Sequence, residues 1–482
     1  MNKSTSLPSR RDMLASAGVA ASGLRGARTQ TGSTPAANDK PNVVIIIADQ
    51  VRGDFIGACG RNPMNVTPSI DAMAREGTLY RNAFTNQPVC SPSRACLFTG
   101  QYGARNGVWR NTGNGVALSP TATTIATELG HAGYSTNYIG KWHLSEARGG
   151  PVAPSARGGF LNLWQASNEL ELTSHPYEGD MYDGDGRPIH FENEYRVDFL
   201  TGLATRFLHD ASKSSPFLLT VSFLEPHHQN DMGRMVAPKG YAERYKNPYV
   251  PDDLKFFPGD WQEQLPDYYG CLKRIDESVG EIRKTLTETG LERDTIVVFV
   301  SDHGCQFMTR NTEYKRSGHD ASTHIPLVIA GPGFEGGRTV DEIVSMVDLS
   351  PTLLAATGHP VPATMQGKST LPLLAGKDAE WRNEVFIQMA EFWVARALRT
   401  PEWTYVAAAP RENGPFHPAP HAPRYASFQL YDNRGDPNQL VNLAGRKGYL
   451  QIEAQLRDRL RQCMQEVGDS PAEMSPGMFP YA

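Results

Sequence analysis

Short apolar runs alternate with amphipathic segments along most of this chain. Residues 43–48 form a continuous run rich in β-branched side chains, and 217–223, 295–300 and 325–330 are similar runs. Runs of this kind are typical of strands buried on both faces, as in a parallel sheet. Residues 268–286 instead repeat their apolar positions with the period of an amphipathic helix. The alternation predicts an α/β fold, with a mostly parallel central sheet sandwiched by helices.

The C-terminal part of the chain has a different pattern. Short segments that alternate apolar and polar positions precede an amphipathic helix at 449–467. The segments lie at 385–389, 395–399, 403–407 and 428–431. We therefore expect a smaller C-terminal antiparallel sheet with one packed helix. The predicted domains are an N-terminal α/β domain over 39–375 and a C-terminal subdomain over 376–482.

Residues 1–38 have the composition of a targeting segment and linker. The segment Ser9-Arg10-Arg11-Asp12-Met13-Leu14 resembles a twin-arginine export motif. A mildly apolar run follows over 13–24, which has the length of a signal-peptide core and is too short to span a bilayer. We expect export to the periplasm or the outside of the cell. The alternative is a disordered basic tail, and no clear cleavage site is present.

Composition excludes some functions. The 482 residues carry a net charge of -5, which gives no basis for binding nucleic acid. An anion site would therefore need a local cluster of cations. The six cysteines include no C-x-x-C pair, so a structural zinc site is not expected, although an exported protein could form one disulfide.

Polar pairs follow two of the predicted strands directly. Asp49-Gln50 comes after the run 43–48, and Asp302-His303 comes after the run 295–300. Open α/β sheets bind ligands at the carboxyl ends of their strands. Oxygen ligands with one imidazole suit a divalent cation, although a single Asp at such a position is more often a turn or capping residue.

The segment Cys90-Ser91-Pro92-Ser93-Arg94, with Thr99-Gly100 behind it, completes the pattern C-x-P-S-R-x4-T-G. It resembles the signature of the type I, formylglycine-dependent sulfatases of the alkaline phosphatase superfamily. Further matches to that family are Gly140-Lys141-Trp142-His143-Leu144, Pro226-His227 and Lys315. The Pro-His match is weak alone because His228 stands beside it. The resemblance covers nearly the whole chain after residue 38 and makes 39–375 the catalytic domain.

The resemblance implies a sulfuric ester hydrolase and a role for each matched residue. Cys90 would be oxidised to formylglycine by a formylglycine-generating enzyme, and its hydrate would attack the sulfur of a sulfated small molecule or glycan. One divalent cation would be bound by residue 90 with Asp49, Gln50, Asp302 and His303. The remaining roles are sulfate binding by Lys141 and Lys315, orientation of residue 90 by Arg94, proton acceptance by His143 and proton donation by His227.

The chain departs from the commonest family pattern at Gln50 and His303, where many members have Asp and Asn or Gln. Two formal charges rather than three then face the cation, and we expect calcium, with manganese as the alternative. The departures leave open a phosphonate or phosphate ester hydrolase on the same scaffold, and a non-catalytic binder of sulfated glycans is a further alternative. We expect a carbohydrate substrate that is recognised by long loops. The candidate loops are 103–112, 175–185, the region after His227 and 410–425.

Overall fold

The computed structural model describes residues 40–211, 215–376, 380–410 and 416–477. The predicted export segment lies outside the described residues. The described part belongs to one compact unit. None of its helices is both long enough and apolar enough to cross a membrane. All six cysteines fall in the described ranges and none forms a disulfide there.

Within the described residues, a large mixed sheet contains twelve strands. They are β1 Asn42–Ala48, β2 Thr78–Phe84, β3 Ser135–Lys141, β4 Trp164–Ser167, β5 Ser174–His175, β6 Glu178–Tyr182, β7 Pro188–Glu192, β8 Phe217–Ser222, β9 Thr295–Ser301, β10 His324–Ile325, β11 Leu327–Ala330 and β12 Arg338–Ser345. Their order is β10-β2-β11-β9-β1-β8-β3-β4-β6-β5, with β12 paired to β2 and β7 to β6. The five central strands, from β9 to β4, are parallel to one another. The predicted α/β fold with a parallel centre is confirmed, and its flanks are largely antiparallel.

Helices cover both faces of this sheet. They are α1 Pro68–Glu76, α2 Cys90–Thr99, α3 Gly103–Asn106, α4 Ile125–His131, α5 Leu170–Thr173, α6 Arg196–Asp210, α7 Asp252–Lys255, α8 Trp261–Glu288, α9 Asp320–Thr323, α10 Leu349–Ala356, α11 Leu371–Leu374 and α12 Leu450–Val467. Alternate side chains of β1 enter two different cores: Ile45 packs with residues of α2, α4 and α10, whereas Ile46 packs with residues of α1, α6 and α8. Burial of both faces explains why β1 is a continuous apolar run.

The C-terminal sheet is also present. Its strands are β13 Val385–Met389, β14 Ala395–Arg399, β15 Trp403–Ala408, β16 Arg424–Asp432 and β17 Glu473–Ser475. The first four are antiparallel and β17 runs parallel to β16. Helix α12 contacts β13 to β16, as expected for one packed helix. The domain boundary at 375 stays a prediction.

The prediction of a long loop over 175–185 is wrong. This segment contains β6, which pairs with β7 in a hairpin whose register joins Glu178 to Glu192. The hairpin lies at the edge of the large sheet, where polar side chains on an exposed strand are tolerated. The predicted loop over 103–112 likewise begins with the short helix α3.

Candidate active site

The predicted site residues meet at the carboxyl ends of the central strands. In β1, Ile47 pairs with Ser222 of β8 and Ala48 pairs with Ser301 of β9. Asp49 and Asp302 therefore leave the sheet side by side. On the other side of β8, Gly140 of β3 also pairs with Ser222, which brings Lys141 to the same edge.

Gly140 allows a close approach that no other residue permits. Its φ is +100°, and a Cβ there would lie 2.1 Å from the carbonyl oxygen of Ser222. The chain then turns through Trp142, which is fully buried and lies edge-to-face with Tyr138 at 5.1 Å. His143 follows with φ +57°. The buried indole and the turn fix His143 beside the strand ends, so the element acts as one rigid unit.

Cys90 lies at the start of α2 and faces a cluster of possible metal ligands. Its Sγ lies 3.3 Å from Nε2 of His303 and 3.7 Å from Oδ1 of Asp49. One ligand atom from each of Asp49, Cys90, Asp302 and His303 falls within 4.8 Å of all the others, and all four residues are buried. Nδ1 of His303 lies 2.9 Å from the carbonyl oxygen of Gly304, which fixes the ring with Nε2 toward the cluster.

Gln50 adds an oxygen that has no protein partner. Its backbone takes the uncommon φ of +77°, and its N–H donates to Oδ1 of Asp302 at 3.1 Å. The side-chain Nε2 donates to Sγ of Cys305 at 3.5 Å, while Oε1 is buried without a hydrogen bond in the described structure. A buried acceptor left in this state calls for an explanation, and a cation ligand is one. Two carboxylates, an amide oxygen and an imidazole fit one divalent cation.

Arg94 holds the two carboxylates from behind. Its guanidinium donates to Oδ2 of Asp302 at 3.0 Å and to Oδ2 of Asp49 at 3.2 Å. The remaining hydrogen bonds described for it end on Ser222 Oγ at 2.7 Å and the Lys141 carbonyl at 3.0 Å. All three ion-pair side chains are fully buried. Arg94 therefore acts on residue 90 through the carboxylates that flank it.

Two lysines make the surroundings of Cys90 positive. Nζ of Lys315 lies 3.0 Å from the thiol sulfur, and Nζ of Lys141 lies 3.9 Å from it. Burial alone would raise the pKa of the Cys90 thiol, but Lys141 and Lys315, with smaller contributions from His303 and His143, outweigh burial and hold that pKa well below its usual value. A position that stabilises a negative sulfur this strongly is suited to bind an anion.

His227 belongs to the site and its neighbour His228 does not. His227 Nδ1 donates to the carbonyl of His228 at 2.6 Å, which leaves Nε2 facing Lys315 Nζ at 3.1 Å. The ring of His228 instead packs at a tilt against Tyr314, with 4.8 Å between centroids. The structure thus resolves which histidine of the pair lies at the site.

His143 lies next to Cys90. Its Nε2 is 3.7 Å from Oε1 of Glu169, and its Nδ1 is buried without a hydrogen bond in the described residues. Burial and Lys141 both lower the pKa of His143, but its interactions with Cys90 and Glu169 leave that pKa above its ordinary value. The ring is therefore able to hold a proton near residue 90.

Comparison with known proteins identifies the family. A family model described as Sulfatase matches residues 41–359, and one described as N-sulphoglucosamine sulphohydrolase, C-terminal, matches 313–466. The ulvan-active sulfatase of Formosa agariphila is 30% identical over 89% of this chain and 82% of its own length. The chain belongs to the sulfatase family. It is therefore a sulfuric ester hydrolase of the alkaline phosphatase superfamily.

Two other similar proteins agree with this assignment. An arylsulfatase of Clostridium perfringens is 30% identical to this sulfatase over 72% of the chain and 81% of its own length. A candidate sulfatase of solved structure from Bacteroides fragilis has a TM-score of 0.76 at 26% identity and covers 93% of this chain and 98% of its own. The likeness thus extends over almost the whole described structure of the sulfatase.

Sequence reasoning missed two charged residues of the site, Glu169 beside His143 and Glu171 beside Lys141. Glu171, in the short helix α5, accepts a hydrogen bond from Lys141 Nζ at 3.0 Å. The two residues are 30 positions apart and Glu171 belongs to no motif, so the sequence carries no signal of the pair. Only the turn from β4 into α5, next to β3, brings the carboxylate to the lysine.

The loops predicted to recognise the substrate differ in the contacts that the structure describes for them. The loop 107–112 contacts the start of α2, where Asn111 accepts from the Ser91 N–H at 3.3 Å. His175 pairs with Asp231 at 3.0 Å, which joins the hairpin region to the segment after His227. Residues 411–415 of the predicted loop 410–425 lie outside the described residues.

Proposed function

We propose that this sulfatase hydrolyses sulfate esters of carbohydrates through a formylglycine made from Cys90, with one divalent cation. The observation that carries the proposal is the placement of Cys90: a cysteine inside a complete modification tag lies between a ligand cluster and two lysines. Asp49, Gln50, Asp302 and His303, together with residue 90, would hold the cation. Calcium is the expected ion, and the imidazole of His303 makes manganese the alternative.

The hydrated aldehyde would supply an oxygen nucleophile, and the cation would polarise the ester oxygens. Side chains of the protein then bind the sulfate group and transfer protons. Lys141 and Lys315 bind the sulfate oxygens as point charges. His227, whose Nε2 faces Lys315, gives a proton to the leaving oxygen, and His143 accepts a proton at residue 90.

Three features support a carbohydrate substrate. A relative 30% identical to this chain is named for activity on ulvan, a polysaccharide. The loop beside α2 presents Arg110 over the ring of Trp109, at 5.5 Å from its centroid, and such a pair suits a sulfated sugar. The twin-arginine-like segment before residue 25 supports export to the periplasm or beyond, where such polymers are degraded.

The second candidate is hydrolysis of phosphonate or phosphate esters at the same site. Gln50 and His303 favour it, because they depart from the commonest sulfatase ligands. A panel of sulfated mono- and oligosaccharides, aryl sulfates and aryl phosphonates separates the two functions. We expect the highest kcat/KM on a sulfated sugar. A higher kcat/KM for an aryl phosphonate than for every sulfate would assign the chain to the second function.

The third hypothesis, a non-catalytic binder of sulfated glycans, is the least supported. A binder that had lost catalysis would be expected to lack a nucleophile, ligand or lysine position, and each of these positions is filled here. Binding of a sulfated oligosaccharide with no turnover of any ester in the panel would support it.

A further inference from the structure

Glu171 places a negative charge directly behind the anion pocket. The carboxylate accepts from Lys141 Nζ at 3.0 Å, and the same Nζ donates to Asp49 Oδ2 at 2.9 Å. The Glu171 side chain is 7% exposed and Lys141 is not exposed at all. Its second oxygen, Oε2, is buried and has no hydrogen bond in the described residues. A charge of this kind is expensive to bury and therefore needs a reason.

The negative charge of Glu171 reduces the excess of positive charge around Cys90. Three cationic side chains, Arg94, Lys141 and Lys315, face or flank Cys90. Against them stand three carboxylates, those of Asp49, Asp302 and Glu171. Two of the carboxylates are candidate cation ligands, whereas the Glu171 carboxylate accepts its hydrogen bond from the lysine. Its effect is therefore to reduce the positive potential that an incoming anion meets.

The carboxylate keeps its charge at working pH. Burial alone would raise the pKa of Glu171, but Lys141 and His143 outweigh burial and lower that pKa to about 2. Because the side chain is anchored in α5 and joined to Lys141, the charge also has a fixed position. The potential it imposes is the same for every substrate, and its cost rises with the charge of the bound group.

We propose that Glu171 is a specificity-determining residue that makes this pocket select singly charged esters over doubly charged ones. A sulfate ester carries one negative charge, whereas a phosphate monoester carries two above its second pKa of about 6. The fixed carboxylate of Glu171 repels the second negative charge of a phosphate monoester, whereas an ester with one negative charge still binds. This inference rests on the proposed function, because it concerns the same anion pocket.

The test compares three chromogenic esters of 4-nitrophenol at pH 8. The sulfate and the phenylphosphonate are singly charged, and the phosphate is doubly charged. Glu171→Gln keeps an oxygen for Lys141 and removes the charge. We expect its kcat/KM for the phosphate to rise about tenfold relative to both singly charged esters. Glu171→Asp, which keeps the charge, should retain the wild-type ratio even where overall activity falls.

A matched control removes a comparable carboxylate elsewhere. Glu384 forms a part-buried ion pair with Arg459, outside the site, so Glu384→Gln should leave all three kcat/KM values in proportion. An unchanged or lower phosphate ratio in Glu171→Gln overturns the inference while leaving sulfatase activity intact. Preference of the wild-type enzyme for the phosphonate over the sulfate would instead count against the proposed function.

A second measurement uses the wild-type enzyme alone and so does not depend on a variant that folds. The phosphate ester gains its second charge as pH rises through about 6, while the other two esters keep one charge. The kcat/KM ratio of phosphate to sulfate should therefore fall across that interval, and the ratio of phosphonate to sulfate should stay level. A phosphate ratio that holds or rises would overturn the inference.

Discussion

Arg94 and Asp302 form a fully buried ion pair, in which Nε lies 3.0 Å from Oδ2 and neither side chain is exposed. The same guanidinium reaches Asp49 at 3.2 Å. These two carboxylates would repel each other, and burial together with Asp49 raises the pKa of Asp302. Arg94 offsets this repulsion by donating to both carboxylates, while Lys141 adds a second cation at Asp49.

Removing Arg94 should therefore cost stability as well as activity. We expect Arg94→Ala to lower the free energy of unfolding by about 3–5 kcal/mol, because the buried carboxylate of Asp302 loses its arginine partner. Urea denaturation at pH 7 measures the loss. Arg81→Ala is the control, since its ion pair with Asp341 is exposed and should contribute less than about 1 kcal/mol. Equal losses in the two variants would contradict the role given to Arg94.

Cys90 should be modified and indispensable. Intact-mass analysis of the wild-type protein should give the mass for replacement of the thiol by an aldehyde, and Cys90→Ala should abolish turnover while leaving the fold unchanged. Cys90→Ser should retain at most residual activity, because a single hydroxyl cannot expel sulfate and restore itself. Cys96→Ala, six residues along the same helix, is the control for the mass shift. Full activity in Cys90→Ala would contradict the proposed mechanism.

The fold was predictable where burial is uniform. The central strands β1 and β9 contain the continuous apolar runs 43–48 and 296–300 because both of their faces are covered, and such runs are recognisable in the sequence. Strand β2 has no such run, since Arg81 and Asn82 interrupt it where its side chains reach the surface. The segment 175–185 has the pattern of a loop because most residues of β6 remain accessible and it contains no continuous apolar run.

One cation per chain is expected. Metal analysis of protein purified without chelators should give a stoichiometry near one, and Asp302→Asn should lose most of the metal because it removes one of the two charged ligands. Asp320→Asn is a suitable control, since that carboxylate is paired with Arg399 instead. A stoichiometry near two would indicate a site like that of alkaline phosphatases and would reject the assignment.

Glu171 should contribute to stability in a pH-dependent way. The Lys141 ion pair holds its pKa at about 2 in the folded state, against 4.5 without these interactions. A lowered pKa stabilises the fold above pH 4.5, and this contribution is lost as pH falls toward 2. We expect Glu171→Gln to be less stable than wild type by about 3 kcal/mol at pH 7. At pH 4 this loss of stability should be smaller by about 1 kcal/mol. Urea denaturation at both pH values checks this.

The candidate site was predictable only as far as motifs extend. Positions within one segment, such as Lys141 and His143, could be assigned because the G-K-W-H-L element is contiguous. Pairs that the fold creates could not, and the contact between Lys141 and Glu171 is one of them. The Pro-His match selects His227 over His228 only weakly, since the two are adjacent in sequence, and the structure places the His227 ring beside Lys315 and the His228 ring against Tyr314.

His227 should matter most for esters with poor leaving groups. Its Nε2 lies at the site beside Lys315, where the departing oxygen must collect a proton. An alkoxide from a sugar leaves badly without that proton, whereas a nitrophenolate is stable without it. We therefore expect His227→Ala to lower kcat/KM for a sugar sulfate by about 10²–10⁴-fold and for 4-nitrophenyl sulfate by far less. His228→Ala provides the neighbouring control, because its ring packs on Tyr314, and it should change both substrates alike. Equal losses on the two esters in His227→Ala would show that this histidine binds or positions the substrate and that the proton comes from another group.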